Sequence, residues 1–165
     1  DRERGGFFQT ADDHEALPYR PRPSADESTP SGNGPAALGL ARLGHLLAEP
    51  RYLEAARGAL EACMSDVRSA PMAHATLARV LAHEFDPPEQ ILVRGERARL
   101  TGLAEQAAAS FRPGRFVFTL APDAGAALET LPEVPADGIV AIRCRGMTCD
   151  VPLTDGNAIA AMITG

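Results

Sequence analysis

Hydrophobic positions along the chain change period once, near residue 87. Before that point they recur at helical spacing. Ala36, Leu40, Leu43 and Leu47 form one stripe, predicting a helix over 35–48. Pro35 suits its first turn, and Ser31 and Asn33 are candidate caps. Leu53, Ala56, Leu60, Cys63, Met64 and Val67 predict a second helix over 51–68. Ala73, Leu77, Val80, Leu81 and Phe85 predict a third over 71–85. The connections are short, so neighbouring helices must run antiparallel.

After Pro87-Pro88 short apolar runs alternate with one clear amphipathic stretch. Gln90-Ile91-Leu92-Val93, Phe116-Val117-Phe118 and Ile139-Val140-Ala141-Ile142 read as buried strands. Residues 97–111 read as a helix with Leu100, Leu103, Ala104, Ala107, Ala108 and Phe111 inward, stopped by Pro113-Gly114. A weak helix is expected over 124–131, and Asp155 is placed to cap a last one carrying Ile159, Met162 and Ile163. Strand, helix, strand predicts a right-handed βαβ crossover and a small parallel sheet of about three strands. The expected fold class is thus mixed: antiparallel helical hairpins over 1–86, then a small parallel-sheet α/β unit over 87–165.

Residues 1–35 are punctuated by Gly5-Gly6, Pro18, Pro21, Pro23, Pro30, Gly32, Gly34 and Pro35, which precludes a long helix. They also carry Phe7, Phe8, Leu17 and Tyr19, so a packed loop is expected and not a solvated tail. The opening at Asp1, in polar sequence with no initiator Met, leads us to expect the C-terminal piece of a larger protein.

Composition narrows the chemistry. All 16 basic residues are arginine, which removes Schiff-base and P-loop lysines from consideration. Formal net charge is −6 with no basic stripe, so no nucleic-acid partner is expected. No apolar run is long enough to span a bilayer as a helix, and no membrane partner is expected. His14, His45, His74 and His83 are scattered without a His-Glu-x-x-His pattern, so no metal site and no cofactor are expected. A single Gly95 after a strand, near Arg94, Arg97 and Arg99, is a weak anion-site signal.

Cys63 falls on an apolar stripe and reads as core. Cys144 and Cys149, with four residues between them, permit a disulfide or half a metal site. In the cytoplasmic location that three cysteines suggest, reduced thiols at a strand end are the favoured reading.

The segment Gly5-Gly6-Phe7-Phe8-Gln9-Thr10-Ala11-Asp12-Asp13-His14-Glu15, then Arg20-Pro21-Arg22, then Thr29-Pro30-Ser31-Gly32-Asn33, resembles the YyaL-like family, which includes the spermatogenesis-associated thioredoxin-domain proteins. Gln9 stands where that pattern has Asp, Arg22 where it has Lys, and Asp26-Glu27-Ser28 where it has Asp-x-Ala. The stretch Cys144–Cys149, Pro152 and Thr154-Asp155 fits its tail. The resemblance implies an upstream thioredoxin-like domain and a six-hairpin α/α toroid, of which this chain is the C-terminal region. The remainder of that parent chain is then its first partner. The apolar helix faces of a partial toroid predict dimerisation or aggregation in isolation.

In such a toroid the loops between helices line a central cavity. Asp12 and Glu15 are candidate acid–base residues toward a sugar. Asp13, Arg20, Asp26, Ser31 and Asn33 are candidate substrate-binding residues. Turn formation and helix capping are the favoured account of the loop carboxylates and of Pro30-Ser31-Gly32-Asn33, where no Gly-x-Ser-x-Gly elbow exists. The rival expectation is a redox or protein-interaction module in which Cys144 and Cys149 lie exposed and within disulfide reach while the α/β unit docks the parent's thioredoxin-like domain. The third is a fragment that only closes the toroid.

Overall fold

A computed structural model describes residues 1–13, 15–122, 133–134 and 138–165. The helix expected over 124–131 lies outside the described residues. The chain divides into two compact units, Asp1–Asp86 and Pro87–Gly165, each with its own core.

The first unit is helical. α1 spans Asn33–Leu47, α2 Pro50–Ala62, α3 Met64–Ser69 and α4 Ala75–Phe85, with a 3-10 turn at Pro71–His74. Pro50 opens α2 at a first-turn position, where the missing N–H costs nothing. The second expected helix is broken at Cys63, whose backbone leaves the helical region (φ −109°, ψ 4°). Cys63 and Val67 still enter the core with Leu60, Leu77 and Val80, as the expected stripe has them.

The buried face of α1 also differs from the expected stripe. Ala37, Leu38, Ala41 and Gly44 are buried, whereas Leu43 is exposed. Small residues win this face because α2 comes close. A methyl on Gly44 would sit 2.7 Å from the Leu53 side chain, well inside contact distance. In α4, Leu77 and Val80 point inward as expected, but Phe85 is 83% exposed, and His74 of the preceding 3-10 turn takes an interior place.

The second unit holds a four-stranded sheet in the order β2-β1-β3-β4, where β1 is Glu89–Gly95, β2 Arg115–Leu120, β3 Ile139–Arg145 and β4 Thr148–Cys149. β1 and β2 are parallel, joined by α5 (Arg97–Ala109), which is the expected βαβ element. β3 corrects the expectation of a parallel sheet. It runs antiparallel to β1, with Leu92 opposite Ile142 and Val93 opposite Ala141, so the sheet is mixed. Apolar runs buried on both faces look the same in either direction, and the long connection before β3 suits a crossover or a return.

The residues Ile91, Val93, Ile139 and Ala141 share one face of the sheet. They pack with Leu100 and Leu103 of α5 and with Ile159 and Ile163 of α6 (Gly156–Thr164). Asp155 caps α6, its carboxylate accepting from the Ala158 N–H at 2.8 Å. α5 buries less than expected: Ala104 and Ala108 are exposed, and Phe111 is 76% exposed. None of the described helices is long and apolar enough to cross a membrane.

Candidate functional site

The N-terminal loop separates into two halves with different work. The half nearer α1 is fully engaged in holding itself. Asn33 is 1% exposed and uses its whole amide. Its Oδ1 accepts from the Phe7 N–H at 2.7 Å, and its Nδ2 donates to the carbonyls of Phe7 (3.0 Å) and Pro23 (2.9 Å). One buried side chain thereby satisfies backbone groups from two separate strands of loop, which would otherwise be unpaired. Gly6 is tucked against it in the left-handed region (φ 74°). A methyl there would lie 2.9 Å from Asn33 Oδ1.

Asp26 serves both helix starts nearby. Its Oδ1 accepts from the Ser31 N–H just ahead of α1 (2.9 Å), and its Oδ2 from the Thr76 N–H in the first turn of α4 (2.8 Å). Burial pushes this carboxyl up, but the bonds from Thr76 and Ser31 outweigh it and leave it below the ordinary carboxylate range. Ser31 Oγ accepts from the Gly34 N–H at 3.3 Å, a helix-start contact. Asn33, expected as a cap, lies inside α1 with its side chain turned to the loop instead. Three of the sequence-nominated residues, Asp26, Ser31 and Asn33, are therefore scaffold.

A further contact in this half was not foreseen. Ser24 Oγ donates to Asp66 Oδ2 at 2.8 Å and lies 3.3 Å from His74 Nε2, while His74 Nδ1 is 2.8 Å from the Ala70 carbonyl. The chain Asp66–Ser24–His74–Ala70 latches the loop to α3 and the 3-10 turn. Ser24 and Asp66 stand 42 positions apart, so no local spacing signals it.

The other half, described over residues 7–13 and 15–20, keeps the carboxylates of Asp12, Asp13 and Glu15 exposed. Arg20 is its organiser. It pairs with Asp12 Oδ1 at 2.8 Å, donates to Thr10 Oγ1 at 3.3 Å and to the Thr10 carbonyl at 2.5 Å, and lies over the Phe8 ring with 4.2 Å to the centroid. The Asp12 carboxylate remains 83% exposed in this pair. Asp13 and Glu15 are exposed and make no ion pair or hydrogen bond through their side chains among the described residues.

Beside Arg20 lies an open hollow of about 620 Å³ lined by Asp1, Arg2, Glu3 and Arg4 on one side and by Phe8, Leu17, Pro18, Tyr19 and Arg20 on the other. Tyr19 is 75% exposed. Phe8, Thr10 and Tyr19 are the site residues that reading by charge missed. An exposed aromatic beside an arginine in a proline-punctuated loop was the available signal.

In the second unit Cys144 and Cys149 form a disulfide, with Cα atoms 4.0 Å apart, which corrects the expectation of reduced thiols. They face each other across β3 and β4. The two turn residues are Gly146 and Met147, and Gly146 has φ +59°, the positive value that a two-residue hairpin turn wants at its first position. A Cys-x-Gly-x-x-Cys spacing around such a turn puts the two cysteines on facing positions, a signal present in the sequence. Cys149 is exposed and Cys144 is buried.

Cys63 is a buried free thiol in the helical core, pushed up chiefly by burial. No group of side chains among the described residues is arranged to hold a metal ion. Comparison of the chain with protein-family models, with curated proteins and with solved structures returns no match.

Proposed function

We propose that this chain is the C-terminal region of a cytoplasmic, six-hairpin protein of the YyaL-like kind, and that residues 7–20 supply part of a carbohydrate-binding surface. The observation that carries this reading is the Arg20 cluster. A guanidinium fixed by Thr10, Phe8 and Asp12 stands at the edge of a hollow with an exposed Tyr19. Sugars are bound by such combinations, an aromatic face for the C–H groups and charge-assisted donors and acceptors for the hydroxyls. Asp12 and Glu15 are the exposed carboxylates available for acid–base work, and Asp13 for substrate contact. The order of the Gly-Gly-Phe-Phe, Arg-Pro-Arg and Pro-Ser-Gly-Asn segments supports the family reading, and the helical first unit is compatible with toroid hairpins.

Differential scanning fluorimetry of the chain against neutral sugars, uronic acids and sugar phosphates tests the proposal. We expect a rise in melting temperature with one class, lost in Arg20→Ala and Tyr19→Ala. No shift with any class in the unmodified chain would remove the carbohydrate reading.

The disulfide favours a second reading, thiol–disulfide exchange with a thioredoxin-like domain. In a reducing compartment disulfides are transient and redox-active. Exposed Cys149 is the sulfur a partner thiolate reaches, and Cys144 then leaves as the thiolate. The partner's second thiol attacks the mixed disulfide, releasing Cys149 and oxidising the partner dithiol by two electrons. Alkylation after exposure to reduced thioredoxin should label both cysteines. Labelling no faster than with an equal concentration of glutathione would contradict an exchange role.

A further inference from the structure

We infer that the seam between β2 and α5 is a docking groove for an extended acidic peptide, which adds to the sheet as a further strand beside β2. β2 is the outer strand of the sheet, paired with β1 on one side and with no described strand on the other. An outer strand carries a row of unsatisfied N–H and C=O groups, and proteins usually blunt such edges with Pro, Lys, charges or bulges. Arg115-Phe116-Val117-Phe118-Thr119-Leu120 has none of these devices facing outward. Its one charge, Arg115, is turned to Glu89 and to the Ile163 carbonyl.

The helix beside this edge is shaped to leave room. Two hollows of about 370 and 500 Å³ adjoin along the seam, sharing Ala104, Ala108 and Thr119. The alanines expected to face the core stand open here, so side chains from an added strand can settle between β2 and α5. This is the geometry of peptide capture by strand addition, in which backbone bonds give affinity and alternate side chains enter a groove.

Charge names the occupant. Arg97 lines one hollow and Arg112 the other, with Glu105 as the one acid among the lining residues. Neither Arg97 nor Arg112 is in an ion pair among the described residues. Arg97 also sits in the first turn of α5, where the helix dipole disfavours a cation, so helix stability gives no reason for it. The two mark opposite ends of α5, roughly 20 Å apart at 1.5 Å per residue. An extended strand covers that length in about six residues. The groove thus fits a six- or seven-residue segment with an acidic group near each end. Pairing of two copies through β2 is disfavoured by the same charges. About a twofold axis, Arg97 of one copy would come to the same end as Arg112 of the other.

Fluorescence polarisation with the full chain tests this. The probe is a labelled heptapeptide of alternating valine and threonine with aspartate at both ends; the control carries lysine at both ends. Binding of the aspartate peptide is expected to weaken at least tenfold in Arg97→Gln/Arg112→Gln and with lysine ends, and hydrogen exchange should slow at β2 amides when it binds. Both arginines are exposed, and circular dichroism checks that the variant keeps its fold. Equal binding of the lysine peptide, binding without protection of β2, or β2 protection arising from self-association in sedimentation would each overturn the inference.

Discussion

The two halves of the N-terminal loop use similar residues to opposite ends. Residues 22–33 place Asp26, Ser31 and Asn33 on backbone partners, with both Asp26 oxygens, the Ser31 hydroxyl oxygen and the whole Asn33 amide engaged within the fold. Residues 7–13 and 15–20 place Asp12, Asp13 and Glu15 at the surface, with the half-buried Arg20 pairing with Asp12 and stacking on Phe8. Composition does not separate the halves; accounting for backbone partners does. A carboxylate whose two oxygens each serve a helix start is committed to the fold, whereas one paired with a single guanidinium and left 83% exposed is open to a ligand.

That division is sharpened first by Asn33→Leu. It strips partners from three backbone groups in a buried place and should destabilise the first unit by about 3 kcal/mol, read by urea denaturation. Retention of stability within a few tenths of a kcal/mol would break the scaffold half of the comparison. Asp26→Ala should cost about 2 kcal/mol near neutral pH, by loss of a double cap.

The pH dependence of that second effect has a fixed sign. The folded-state carboxyl is depressed, so its contribution is complete above the unfolded-state value of about 3.9 and is lost as pH falls through the lower folded-state value. Stability of the unmodified chain and of Asp26→Ala should therefore converge as the solution is acidified below pH ~4. A gap that stays constant to low pH would show that the carboxylate charge is not what matters.

Arg20→Ala should change stability by less than about 1 kcal/mol, because its ion-pair partner Asp12 is 83% exposed and the pair is screened by solvent. Asp13→Ala should change it by less than about 0.5 kcal/mol. A large loss in either would move the outer half of the loop into the scaffold.

Much of the fold is legible in the sequence because helical periodicity and short apolar runs are local signals. Pro50, Pro87-Pro88 and Pro113-Gly114 mark changes of element, and the Asp155 cap is read directly. What is not legible depends on contacts distant along the chain. The face of α1 follows from how closely Leu53 approaches Gly44, and the direction of β3 from a pairing of Gly95 with Ile139. The candidate site shows the same limit. The acidic run is visible, but that Asp26 belongs to Thr76, 50 residues away, is not. The disulfide is an intermediate case, since Gly146 supplied a turn signal that spacing alone, set against Cys-x-x-Cys, concealed.

The most direct test of the division is saturation-transfer NMR of a sugar panel with the unmodified chain and with Arg20→Ala. The account predicts transfer to one sugar class from the unmodified chain, reduced to background in Arg20→Ala while that variant stays folded, with its melting temperature lowered by no more than a few degrees. Transfer of equal strength from both proteins would contradict it, because the outer half of the loop would then not be the ligand-facing one.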